Sequence, residues 1–220
     1  MNTTVDPATA LAAKAGVCTV LSGLFWTPPT GEYVRLLRDA DAADALNEYC
    51  SLIGVRAESE IETLRDCVST DDCEAMAERL NIESVELFGF GASDREAVPL
   101  YGSLWLGDRA LVMDTVTQEV AAFYREQGFT SAHDSSDVIP DHISRELEFV
   151  AALFRIAAAA ELDGDIDDSR HHQARAQEFL ERFASRWWRE FGELTERTAK
   201  EPFYVAAGGL LGKVAPALYA

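Results

Sequence analysis

The recurrence of Ile143, Leu147, Val150, Phe154 and Ala157 constrains this chain more than any other feature. Apolar residues three or four positions apart form one face of a helix, and that face has to be buried. The stretch that opens the pattern is Pro140-Asp141-His142-Ile143-Ser144-Arg145-Glu146-Leu147-Glu148-Phe149. Proline is tolerated in a first turn, where amide protons have no internal partner, and early carboxylates suit the positive end of the helix dipole. The pattern predicts a helix from Pro140 to near Ala160. Nothing in it demands an acid and an imidazole side by side at Asp141 and His142.

The same reasoning gives helices almost everywhere else. A first, amphipathic helix is expected from Pro7 to Trp26, ended by Pro28-Pro29, because proline cannot extend the hydrogen-bond ladder. A second helical region covers Glu32 to Ile53, split near Ala40, and a third starts near Ser59. Ser69-Thr70-Asp71-Asp72 has the polar side chains that cap a new helix running to Phe88. Gly89 to Asp94 and Val98 to Leu106 are expected as loops. A helix from Arg109 to Gln127 should end at Gly128, which tolerates a left-handed turn. Polar, turn-forming residues make Phe129–Ile139 the candidate linker. A long helix from Asp168 to Thr198 presents Phe179, Phe183, Trp187, Phe191 and Leu194 on one face, with Trp187 and Trp188 as core and rim. Pro202 opens a last helix that Gly208-Gly209 should weaken. No run alternates as a half-buried strand would. The fold class is therefore all-α: one helical-bundle domain over residues 1–220, with subregions 1–128 and 140–220 joined by the linker.

Composition narrows the partners. In 220 residues, Asp and Glu number 38 against 19 Lys and Arg, a formal net charge of −19. Such a chain is repelled by nucleic-acid phosphates and anionic membranes and attracts basic peptides. High charge of either sign also serves solubility. The N-terminus lacks the basic start of a secretory signal, and the stretch from Ala8 to Trp26 is interrupted by Lys14, Ser22 and glycines, so stable membrane insertion is not expected. Cys18, Cys50, Cys67 and Cys73 show no paired CxxC spacing and read as reduced, partly buried thiols of a cytoplasmic protein.

The chemistry-bearing residues admit more than one reading. Neighbours on a helix point about 100° apart, so of Asp141 and His142 one can face the core and the other a groove. A helix-start acid beside a hydrogen-bonded histidine also explains the pair, and the residues alone favour it. Glu146 can share their face or be a plain surface carboxylate. Together the three offer oxygen and nitrogen ligands, which leaves a metal-binding or hydrolytic helical enzyme as the alternative function, although the spacing is not HExxH. Asp163, Asp165 and Asp167 suggest a calcium loop, but its sixth position is Asp168 and its twelfth Ala174, where glycine and glutamate are needed. No GxSxG turn and no phosphate-binding GxxxxGK[ST] run occurs. Tyr101 and Trp105, flanking Ser103, are aromatic residues with polar tips, suited either to loop packing or to anchoring a peptide.

The run Pro140-Asp141-His142-Ile143 … Glu146-Leu147-Glu148-Phe149 resembles the signature of the TorD/DmsD family, cytoplasmic chaperones of molybdenum-containing oxidoreductases. Val98-Pro99-Leu100-Tyr101-Gly102-Ser103-Leu104-Trp105 is similar to that family's Pro-Pro-Tyr-Glu-Ser-Val-Tyr segment, and Phe179 to Tyr204 to its last two helices. Gly102 and Val138 stand where the family usually has glutamates. The resemblance implies a binding protein, not an enzyme, with no cofactor or metal of its own. It would hold the twin-arginine leader and the apo form of a reductase of the dimethyl-sulfoxide or trimethylamine-oxide type until the molybdenum cofactor is inserted. It assigns peptide binding to Asp141 and His142, with Glu146, Tyr101, Ser103 and Trp105 as neighbouring candidates. It also implies a monomer or a dimer that exchanges helical halves through the linker.

Overall fold

A computed structural model describes residues 5–26, 29–38, 40–89, 96–107, 111–129 and 139–219. These residues contain helices and no strand, as expected, and form a single helical domain. In chain order the helices are α1 (Pro7–Trp26), α2 (Gly31–Arg38), α3 (Ala40–Leu52), α4 (Glu58–Val68), α5 (Cys73–Phe88), α6 (Gly102–Leu106), α7 (Thr115–Glu126), α8 (Ile143–Asp163), α9 (Ile166–Arg182), α10 (Trp188–Thr198) and α11 (Pro202–Leu218). The split of the second helical region near Ala40 and the start of α5 fall where expected. At the latter, Asp72 Oδ1 accepts the Ala75 N–H at 2.9 Å.

The central element is α1, which lies along α8 and also touches α3 and α11. Its expected amphipathic character is corrected in width: Leu11, Ala13, Ala15, Val17, Leu21, Leu24 and Phe25 are all buried and span more than half of the circumference, while Thr9, Ala12 and Thr19 are exposed on the rest. A helix with so wide a buried face belongs in a core. By length and composition α1 is the one described helix that could cross a membrane, and here its apolar surface is covered by other helices. The remaining layers are α8 on α9, α10 on α11, α11 on α4 and α2 on α5.

Four further expectations are corrected. First, Gly102–Leu106 is a short helix rather than loop. Second, α7 begins at Thr115, where Asp114 Oδ1 accepts the Val116 N–H at 2.8 Å; its end is as expected, with Gly128 at φ 62°. Third, Asp168–Thr198 is not one helix. It breaks at Phe183, passes through a 3-10 turn (Ala184–Arg186) and restarts after Trp187, whose φ is −149°. Trp187 and Trp188, on either side of the restart, are both fully buried. Fourth, α11 runs through Gly208-Gly209 without weakening. A Cβ on Gly208 would lie 2.6 Å from the Glu196 N and 2.7 Å from the Gly192 O, so the glycines let α10 and α11 approach backbone to backbone.

Two aromatic clusters fill the core. Phe25, Phe88, Phe191, Tyr204 and the Trp105–Trp187 stack form one. Phe123, Tyr124, Phe129, Phe149, Phe179 and Phe183 form the other. Cys18, Cys50 and Cys73 are buried free thiols and Cys67 is half-buried. Of the expected linker, residues 130–138 lie outside the described residues, as do 90–95 of the expected glycine loop.

Candidate functional site

The expected helix start at Pro140 is displaced by three residues, and the displacement builds the site. Pro140 and Asp141 lie in a turn ahead of α8, and His142 is the N-cap: its Nδ1 accepts the Ser144 N–H at 3.2 Å. An N-cap takes an extended conformation, here φ −70° and ψ 136°. That extension lets His142 pair antiparallel with Tyr101. Gly102 N–H donates to the Asp141 carbonyl at 2.8 Å, and Ile143 N–H to the Leu100 carbonyl at 2.9 Å.

Side chains lock the pairing. Asp141 Oδ2 accepts the Ser103 N–H at 2.7 Å, and Oδ1 accepts the Thr117 hydroxyl at 2.9 Å. Tyr124 donates to the Pro140 carbonyl at 3.0 Å. Trp188 Nε1 donates to Glu146 Oε2 at 2.8 Å. The Tyr101 ring meets His142 edge-on with centroids 5.3 Å apart, and Trp26 approaches the same imidazole at 6.4 Å. Trp105 stacks on Trp187 and donates to the Pro99 carbonyl at 2.8 Å.

All six candidate residues therefore meet at one corner, but not as an open acidic surface. Asp141, Glu146 and Ser103 are 0% exposed and His142 is 5% exposed. Tyr101 and Trp105 are half-buried. The expectation that these carboxylates line a groove is corrected: the turn ahead of α8 points Asp141 inward at backbone donors, and Glu146, one turn into the helix, faces the tryptophans.

Burial sets the electrostatics. Desolvation holds the Glu146 carboxyl well above the usual range, opposed by the Trp188 hydrogen bond. The Trp187 indole also favours the charged form, yet its alignment falls short of a hydrogen bond, so Glu146 Oε1 and Trp187 Nε1 have no partner among the described residues. Desolvation, and secondarily the Arg145 guanidinium, lowers His142 to about 4. Burial and then the Asp141 charge push the Tyr101 phenol up.

Beside the corner opens a groove of about 790 Å³ between α1 and α8, closed at one end by Phe129. Ser22 and Phe149 are buried in its floor; Trp26 and Tyr33 form one wall, and Arg155 and Ile156 stand exposed at its rim. Ser22 ties the two helices together by donating to the Ser144 carbonyl at 2.9 Å. Trp26 belongs to both groove and corner. Of these groove residues only Phe149 stood in a run singled out in the sequence, and none was read as a groove residue; the Ser22–Ser144 and Arg155–Thr19 contacts join residues more than a hundred positions apart. Thr117 was missed because its partner, Asp141, lies 24 positions away, beyond any local pattern. The apolar period of α8 could have drawn attention to Phe149; nothing local marks Trp26 or Tyr33.

No catalytic constellation accompanies this geometry. Among the described residues no three His, Cys, Asp or Glu side chains converge as metal ligands. The Asp141 carboxylate and the His142 Nδ1 are already engaged with protein donors.

The family described as "Nitrate reductase delta subunit" matches residues 39–193. The chain belongs to that family. Within it, the chain is 33% identical over 142 residues to the selenate reductase assembly chaperone protein of Thauera selenatis, covering 64% of this chain and 68% of that one. It is 32% identical over 139 residues to the chlorate reductase assembly chaperone protein of Ideonella dechloratans, covering 62% and 67%. A crystal structure from Archaeoglobus fulgidus, described as a redox enzyme maturation protein, overlays with a TM-score of 0.45 and 19% identity, over 93% of this chain and 91% of that one. The delta-subunit match bears out the family resemblance read from the 98–105 and 140–149 segments, and it extends through α9 and into α10.

Proposed function

We propose that this protein is a cytoplasmic assembly chaperone for a molybdenum-containing reductase, and that its α1–α8 groove receives the apolar run of the client's N-terminal leader. The supporting observation is the groove itself: a mainly apolar trough with the aromatic side chains of Trp26, Tyr33, Phe129 and Phe149 in its lining, joined to the Tyr101–His142 corner through Trp26. Apolar troughs take helical or extended segments by burying alternate or one-sided side chains. Kinship with selenate and chlorate reductase chaperones supplies the client class.

Roles divide by exposure. Asp141, Ser103 and Glu146 act from inside, holding the 98–107 segment against the start of α8. Tyr101 and Trp105, both half-buried, form the edge that a leader touches; the buried His142 backs the Tyr101 ring from inside, and Trp26 joins that edge to the groove. The net charge of −19 draws the paired arginines toward the molecule at long range. Holding the leader keeps the apo-reductase from export until its cofactor is loaded. A metal-dependent hydrolase using Asp141, His142 and Glu146 is not favoured, because both Asp141 oxygens are already engaged with protein donors and the three side chains do not converge as metal ligands among the described residues.

Calorimetry tests this. The full chain is titrated with a synthetic leader of the molybdenum reductase encoded beside it. Binding with Kd in the micromolar range, about −7 to −8 kcal/mol, is expected. Trp26→Ala should weaken it about tenfold or more, since large aromatic anchors dominate such interfaces. No heat and no competition at tens of micromolar would overturn the reading.

A further inference from the structure

Along α8, Glu148, Ala152, Arg155 and Ile156 follow helical spacing and all border the groove. Ala152 on α8 and Gly23 on α1 are short lining residues, and the missing side chain at Gly23 makes room for the Tyr33 hydroxyl. A Cβ at Gly23 would lie 2.7 Å from the Tyr33 hydroxyl. Among the described residues that line the groove, the rim residue Arg155 is the one cation. Its guanidinium donates to Thr19 Oγ1 at 3.1 Å, reaching from α8 to α1. It makes no ion pair among the described residues, a state it shares with Arg38, Arg56, Arg125, Arg186 and Arg197, none of which borders the groove.

We propose that Arg155 is a specificity-determining residue of the groove, which accepts a carboxylate carried by the bound leader segment. This rests on the leader-binding reading above and adds a sign to it. A guanidinium held by one neutral hydroxyl keeps most of its planar donors for a bidentate carboxylate contact. An acidic side chain is repelled by the molecule's overall field, so only a ligand that places its carboxylate at this one cation is accepted. The position also gives a register. Arg155 lies seven residues beyond Glu148, about 10 Å along the α8 axis. Trp26 and His142 stand near the start of α8. From His142 to Arg155 is thirteen positions of α8, about 20 Å, so a leader with its arginines toward that corner reaches Arg155 after about thirteen residues if helical, or about six if extended.

The test uses fluorescence anisotropy of the full chain with labelled leader of the adjacent reductase, and with leaders in which each Asp or Glu is replaced in turn by Gln or Lys. One acidic position should stand out, its Gln form binding about three- to tenfold more weakly. Arg155→Ala should lose the same factor with the parent leader and be indifferent to that replacement. Arg155→Glu should bind the Lys-bearing leader better than the parent. Circular dichroism should be unchanged, because Arg155 is exposed. Tight parent binding with equal affinities for every leader and every Arg155 variant overturns this inference alone. Failure of the unsubstituted protein to bind any leader overturns it together with the leader-binding reading.

Discussion

Asp141 Oδ2 and the backbone N–H of Ser103 meet at 2.7 Å across 38 residues of chain, both out of contact with solvent. The same carboxylate takes the Thr117 hydroxyl. One side chain therefore joins the segments around α6, α7 and α8.

Removing that carboxylate strands two buried donors. Asp141→Ala should destabilise the fold by about 2–4 kcal/mol, and Asp141→Asn by less, since an amide keeps one acceptor but turns a donor toward a donor. Urea denaturation followed by circular dichroism gives the comparison. A loss below about 0.5 kcal/mol for the alanine variant would show that the junction is not held this way.

The pH dependence has two opposed components. His142 is lowered from 6.5 to about 4 in the fold. A base whose folded value is depressed contributes stability that is complete above pH 6.5 and lost as pH falls toward 4, on the order of 3 kcal/mol in all. Glu146 is raised. Its contribution is complete below 4.5 and lost as pH rises, by about 1.4 kcal/mol per pH unit until the folded value is passed. Glu146→Gln cannot ionise and still accepts from Trp188, so its stability relative to the parent should climb with pH above 4.5. His142→Asn keeps a capping acceptor and should flatten the acid limb. Parallel stability–pH curves for parent and variants would contradict both assignments.

Gly102 sits where relatives of the TorD/DmsD type carry glutamate. A Cβ there would be 3.2 Å from Glu146 Oε1 and 3.3 Å from Trp187 Nε1. Both neighbours are fully buried and cannot swing away. Gly102→Ala should cost about 1–3 kcal/mol through overpacking, and Gly102→Glu more, by crowding a second carboxyl against Glu146. Thermal melts of the two variants rank them.

Two glycines of α11 should respond in opposite ways. Gly208→Ala drives a methyl into backbone atoms of α10 and should lower stability by about 2 kcal/mol or more. At Gly212 the nearest atom to a Cβ is 3.7 Å away. Alanine there should be neutral or stabilising by up to about 1 kcal/mol, the helix-propensity gain. Equal melting shifts would mean that α10 and α11 do not cross at Gly192 and Gly208.

Local pattern made much of the architecture legible. α1 and α5 begin and end at the residues their prolines and caps indicate, because those signals act within a few positions. The same logic misplaced the start of α8. Proline at 140 suits a first turn, but His142 takes the cap, and its extended backbone is stabilised by Tyr101, which no local window contains. Likewise a stripe from Phe179 to Leu194 fits one helix, and the break between Phe183 and Trp187 has no proline or glycine to mark it. The Asp141–His142 pair was recognisable as a special corner. Its inward orientation was not, since that depends on Ser103 and Thr117. The groove was wholly invisible, being formed by two helices that meet only in space.

The Ser22–Ser144 and Arg155–Thr19 contacts join residues 122 and 136 positions apart. The two banks of the trough do not come from neighbouring sequence, so its shape is a property of the docked pair α1 and α8 and is lost wherever the two helices separate.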